Sequence, residues 1–227
     1  MQLALPAGLS EEKICRWMGQ PAHVPPTAQT LALAQKAAGL VLAAARPRAV
    51  SCRLELDWND GRPRPKGALE LPGEDIAAHL AGCTGCVLLA VTLGPGIDQL
   101  LRRLGSQVEL ACAADAAASL LAEEMADAAE AQLRQGLEEG VWMTGRFSPG
   151  YGDLPLTAQP GLLETVNARR AIGLAVSPAG ILTPRKSITA ILGLADHPVK
   201  GRLAGCAHCA LRDTCRYRKE GKRCADQ

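Results

Sequence analysis

Apolar and polar positions alternate strictly along one early stretch, with Val50, Cys52, Leu54 and Leu56 set against Ser51, Arg53, Glu55 and Asp57. A period of two puts each set on its own face of a pleated strand, so 50–57 is expected to be a half-buried strand with one wet face. Residues 87–93 are apolar without alternation, which predicts a strand covered on both sides. Between and around these the period is helical. Ser10 can cap a helix whose first turn holds Glu11 and Glu12 and whose face carries Ile14, Trp17 and Met18, predicting a helix over 10–19. The proline run 21–26 ends it. Leu31, Ala34, Ala38 and Leu42 mark a second helix over 27–45, stopped at Arg46-Pro47.

Asn59-Asp60-Gly61 and the Arg-Pro repeats after it read as turn or loop, and a brief helix is expected over 74–80. Gly94-Pro95-Gly96 turns the second strand into a helix beginning near Ile97. Neither a dinucleotide fingerprint nor a P-loop lysine follows, so a plain tight turn is the better reading than a phosphate cradle. The longest helical signal runs over 110–139 and is rich in alanine, with Leu121, Met125 and Ala128 on its apolar stripe. Asp115, Ser119, Glu123 and Asp127 step by four along that helix and share one line, read alone as a solvated face. A helix over 161–170 follows, then strands 172–176 and 187–192, expected as an antiparallel pair joined through 178–184. Helices and strands in this mixed order predict an α+β fold with a mixed or antiparallel sheet. One domain over 1–195 and a tail over 196–227 are expected, with no internal repeat.

Composition changes this picture little. The chain has 227 residues, enough for a proper core; 48% are hydrophobic and 21% charged, and the formal charge of +2 excludes a globally basic nucleic-acid or membrane-surface binder. No window reaches the roughly 18 apolar residues of a membrane span, and residues 1–10 lack a signal-peptide pattern, so a cytoplasmic location is expected. Nine cysteines, an odd number, argue for thiols that pack or bind metal rather than for a disulfide framework.

Chemistry concentrates in two places. The first is 146–155, Arg-Phe-Ser-Pro-Gly-Tyr-Gly-Asp-Leu-Pro. In a chain with only three Trp, two Tyr and one Phe, Trp142, Phe147 and Tyr151 fall within ten residues here. Prolines stiffen the backbone and glycines open it, so the segment offers one guanidinium, one phenol and bare backbone N–H groups to a small molecule with a carboxylate and a flat ring. A surface connection rich in turn residues is the plainer alternative. The second is the tail, where Cys206, Cys209, Cys215 and Cys224 could form one tetrahedral thiolate site for zinc or an iron–sulfur cluster, with His208 as a substitute ligand. Arg212, Arg216, Arg218, Lys219, Lys222 and Arg223 surround it and would offset its charge. Unliganded thiols on a tail are the alternative. Cys83 and Cys86 are expected to be ordinary buried or turn residues, and Cys15, Cys52 and Cys112 to be core residues on apolar faces.

The Arg146-x-x-x-Gly150-Tyr151 pattern resembles the R-x-x-x-G-Y motif of the activation domain of cobalamin-dependent methionine synthase. The chain as a whole is similar to the free-standing activation-domain proteins of bacteria whose methionine synthase lacks that domain. Residues 90–94, 114–123 and 184–190 support the likeness, which spans most of 10–217 and extends to a Cys-rich ending. The resemblance implies a curved α+β domain that binds S-adenosylmethionine, docks on a cobalamin-binding domain and assists reductive methylation of the corrinoid with an external electron donor. It implies that Arg146 pairs with the methionyl carboxylate, that Gly150 allows backbone contact, that Tyr151 lies against the ligand and that Glu123, with Asp127 as alternate, faces its cationic or hydroxyl groups. It also exposes a departure: the fused domains carry adjacent tyrosines where this chain has Ile191 and Leu192. An accessory subunit, not a self-sufficient enzyme, is the expected role, with no nucleic acid or membrane among its partners. The competing expectation is a metal-binding redox or scaffold protein that works through the terminal cysteines, by which a cluster there could also relay electrons.

Overall fold

The computed structural model describes residues 1–21, 23–67, 69–201 and Thr214. The terminal cysteines and His208 lie outside the described residues. Among those described, the order is α1 (Glu11–Trp17), α2 (Ala28–Ala44), β1 (Arg48–Asn59), β2 (Arg62–Pro65), α3 (Glu74–Leu80), β3 (Gly85–Thr92), α4 (Pro95–Arg103) and α5 (Val108–Gln135). Then come β4 (Trp142–Met143), a 3-10 turn (Leu156–Ala158), α6 (Gln159–Thr165), α7 (Ala168–Ile172), β5 (Ala175–Val176), β6 (Leu182–Thr183) and β7 (Ser187–Ala195). No described helix is long and apolar enough to cross a membrane.

Five strands form an antiparallel sheet in the order β2-β1-β3-β7-β4. The expected α+β class is what the chain adopts. Strand β3 lies at its centre and every one of its residues is buried, as unbroken apolarity requires. Val87, Leu89 and Val91 of β3, with Ala190, Leu192 and Leu194 of β7, face a core built against α1, α2, α4 and α5. Cys86, Leu88 and Ala90 of β3, with Ile191 of β7, face a second core closed by α3, α6, α7, Phe147 and Leu154. The result is three layers, helices on both sides of one sheet.

Local signals account for three helix starts. Ser10 and Thr27 cap α1 and α2, accepting from the backbone N–H groups of Lys13 and Thr30. Gly94, at φ +83°, makes the turn from β3 into α4. At Gly96 a Cβ would collide with the Ala44 carbonyl oxygen, so the start of α4 and the end of α2 meet backbone to backbone. Alanines do the same along α5, where Ala113, Ala114, Ala117 and Ala118 are fully or almost fully buried against α2 and the sheet.

The structure corrects four expectations. The Arg-Pro stretch is not loop but the edge strand β2, where Pro63 and Pro65 do not need a donor on the open side. The strand expected over 172–176 shrinks to β5, which pairs with β6 in a separate two-stranded ribbon, while β7 pairs with β3 and β4. The helix expected over 161–170 is two helices, broken where Asn167 adopts a left-handed φ of +51°. Cys112 is exposed, not core, because it heads the polar line of α5 that continues at Asp115 and Ser119.

Candidate functional site

The segment after α5 is fastened on three sides before it presents anything to solvent. Arg134, in the last turn of α5, donates to the Met143 and Thr144 carbonyls at 2.7 Å each. Thr144, fully buried, accepts the Gly193 N–H on its hydroxyl at 2.8 Å, and its own N–H donates to the Gly193 carbonyl. Phe147 exchanges both backbone bonds with Ile191, at 2.9 and 2.8 Å, and buries its ring beneath the loop. The aromatic that the sequence places beside Arg146 is therefore an anchor.

Beyond that anchor the backbone folds on itself. Tyr151 donates to Ser148, Leu154 to Tyr151 and Gly150 to Leu154, with Gly150 at φ +93°. The N–H groups of Phe147, Gly150, Tyr151 and Leu154 are thus already used within the protein. The expectation of bare donors is corrected at these four positions: Gly150 supplies the left-handed turn that lifts Tyr151 outward rather than a free N–H. Tyr151 is 44% exposed, and its ring meets the edge of Phe147 at a centroid distance of 6.1 Å. Burial raises its phenol above the ordinary range, Glu123 adds to the rise and Arg146 opposes it.

Arg146 turns toward α5. Its guanidinium, whose side chain is 18% exposed, lies 3.1 Å from Glu123, 2.8 Å from Asp127 and 3.3 Å from Glu130. Glu130 in turn reaches Arg134 at 2.7 Å, so one carboxylate ties the loop's arginine to the helix's own. At the other end of the same line Lys186, just before β7, lies 2.8 Å from Asp115 and 2.7 Å from the Ser119 hydroxyl. The acidic line is not a merely solvated face, because two cations from other parts of the chain are laid along it. Electrostatically it is an anionic track with one planar guanidinium and one half-exposed phenol where the loop crosses it.

Sequence reasoning named Arg146, Tyr151, Glu123 and Asp127, and the structure brings these four together. It missed Glu130, which steps three from Asp127 where the line before it stepped by four. The 3.6-residue period asks for such a step, so the signal was there. It also missed Lys186, Thr144, His79 and Asp153, whose partners are far away in sequence. Ile191 and Leu192 are fully buried in the two cores, so neither offers its side chain at the surface. Among the described residues, no group of three or more His, Cys, Asp or Glu is arranged to hold a metal ion. Two surface clefts, of about 720 and 510 Å³, are lined by other residues than Arg146 and Tyr151.

No protein-family model matches the chain, and no curated protein does. A solved crystal structure of the MetH reactivation domain bound to AdoHcy is similar to it, with a TM-score of 0.59 over 99% of this chain and 88% of that one, at 15% sequence identity. At that identity the likeness establishes architecture: the chain has the α+β fold of the MetH reactivation domain.

Proposed function

We propose that this protein binds S-adenosylmethionine at the crossing of α5 and the loop 146–155, and acts as a reactivation unit for a corrinoid-dependent methyltransferase, most simply methionine synthase. The observation that carries the reading is the fork of Glu123, Asp127 and Glu130 around Arg146, beside a half-exposed Tyr151. The chemistry of the donor set fits the ligand. S-adenosylmethionine combines a carboxylate with an ammonium and a sulfonium; a track of carboxylates suits the two cations and a single arginine suits the one anion. That the similar reactivation domain is bound to AdoHcy supports the same choice.

Arg146 is paired in this structure, so a ligand carboxylate exchanges for protein carboxylates rather than filling an empty subsite. Asp127, 70% exposed on its side chain, is the partner most readily released to water, while Glu123 and Glu130 stay. The bound ligand supplies a transferable methyl group; this chain's own residues bind and orient it, and no general acid or base is needed for that task. The partner is a cobalamin-binding domain, and the electron comes from a separate donor. Cys206, Cys209, Cys215 and Cys224 would hold a metal centre, which is the route by which the chain itself could take part in electron delivery.

Calorimetry of the full-length chain with S-adenosylmethionine and with AdoHcy tests the reading. Binding of both is expected, weakened by about 2 kcal/mol or more, roughly thirtyfold, in Arg146→Ala. No binding, or equal binding by the variant, removes the assignment.

A further inference from the structure

The loop that carries Arg146 and Tyr151 is held at both ends by one short helix. At its start, the Gly145 carbonyl oxygen lies 3.1 Å from Nε2 of His79, on the last turn of α3. A carbonyl only accepts, so this contact is a hydrogen bond in the tautomer that carries its proton on Nε2. The Thr144 hydroxyl closes the cluster, 3.0 Å from the same nitrogen and 2.9 Å from the same carbonyl. His79 is 2% exposed, and its ring lies 5.0 Å from that of Phe147. At the loop's far end the Asp153 carboxylate accepts the backbone N–H groups of Glu74 at 2.7 Å and Asp75 at 3.0 Å.

The second contact is a helix cap supplied from a distance. Gly73, at the N-cap position of α3, has no side chain to offer the free N–H groups of the first turn, and Asp153 takes that part from 78 residues away. Glycines make the approach possible on both sides. Gly73 is at φ +131° and Gly152 at φ +52°; a Cβ on the first would strike the Asp153 carboxylate and on the second that of Asp75. Ile76 and Leu80, both fully buried, fix α3 itself in the second core. The two attachment points are four to five residues apart on that helix, about 7 Å along its axis.

We propose that α3 is a clamp that sets the span of the ligand loop, with His79 and Asp153 as positioning residues for Arg146 and Tyr151. His79 and Asp153 act by fixing where the loop leaves and rejoins the body of the protein, which decides whether the guanidinium reaches Glu123 and whether the phenol stands over it. This rests on the reading of Arg146 and Tyr151 as the binding pair, and it adds the residues that pre-organise them.

Two measurements on the full-length chain test it: calorimetry with AdoHcy, and ultraviolet titration of the Tyr151 phenol in a Tyr217→Phe background that leaves one tyrosine. Asp153→Ala and His79→Ala are each expected to weaken AdoHcy binding about tenfold. Both should also return the phenol toward its ordinary range as it loses its cover and moves away from Glu123. His79→Gln, which keeps a donor at the same place, should restore most of both signals, and Asp153→Asn, which keeps one of the two accepting oxygens, should restore part of them. Unchanged affinity and an unchanged phenol titration, in variants that keep the parent's circular dichroism, overturn the clamp. If His79→Ala does not fold, the surface pair Asp153→Ala and Asp153→Asn decides alone. If the parent protein does not bind AdoHcy, the ligand reading fails, and the phenol titration still decides whether α3 sets the loop.

Discussion

Nη2 of Arg146 lies 3.1 Å from Oε2 of Glu123, and this contact joins the loop to the long helix across 23 positions of sequence. Burial raises the Tyr151 phenol and the charge of Glu123 adds to the rise, so one carboxylate acts on both the arginine and the tyrosine. Glu123→Gln is therefore expected to weaken S-adenosylmethionine binding by about 1–2 kcal/mol. Asp127→Asn should change it by less than about 0.5 kcal/mol, because that more exposed carboxylate is screened by water. Calorimetry of the two variants side by side checks the order.

The buried hydroxyl of Thr144 is the acceptor for the Gly193 N–H in the middle of β7. Thr144→Val keeps the shape and leaves that donor unsatisfied, with an expected loss of about 1–3 kcal/mol of stability in urea melts. Serine at the same position should recover most of it.

Gly96→Ala drives a methyl group into the Ala44 carbonyl oxygen, part of the backbone rather than a side chain that can swing away. A loss of about 2 kcal/mol or more is expected from thermal melts, while Gly39→Ala on α2, where a Cβ meets nothing within 4 Å, should be neutral or slightly stabilising.

Burial pushes the Cys83 thiol up to about 11 and the Cys86 thiol up to about 12, the latter helped by Cys83 and Cys52 nearby. Both are protonated at neutral pH and should resist alkylation while the exposed Cys112 reacts, as peptide mapping after brief iodoacetamide treatment would report. The folded protein holds these protons more tightly than the unfolded chain. Their contribution to stability is thus complete below about pH 9 and is lost as pH rises through about 11 to 12, which alkaline melts can follow.

Metal analysis of anaerobically purified full-length chain is expected to find zinc or iron that disappears when all four of Cys206, Cys209, Cys215 and Cys224 are replaced by serine. AdoHcy affinity should survive that replacement, since every proposed ligand contact lies in the fold before residue 201.

What the chain could announce by itself was local. Ser10 and Thr27 cap the helices they precede because a hydroxyl reaches an N–H three residues on, and β3 is central because its unbroken apolar run from Cys86 to Val91 needs cover on both faces. The Arg146-to-Tyr151 loop stood out because aromatics are scarce and glycine and proline are crowded there. Tertiary structure decided the partners. Periodicity says which face of α5 is wet, yet not that Arg146 and Lys186 lie on it; the run 187–192 reads as a strand, yet not as one that pairs with β3 instead of residues just before it. Asp153 gives no sign in sequence of capping a helix 78 residues earlier, because the free N–H groups it satisfies belong to a segment that only the fold brings near. Short-range hydrogen bonds are set by backbone geometry within a turn, whereas these long-range ones exist only once two cores have fixed α3, α5 and β7 around the same loop.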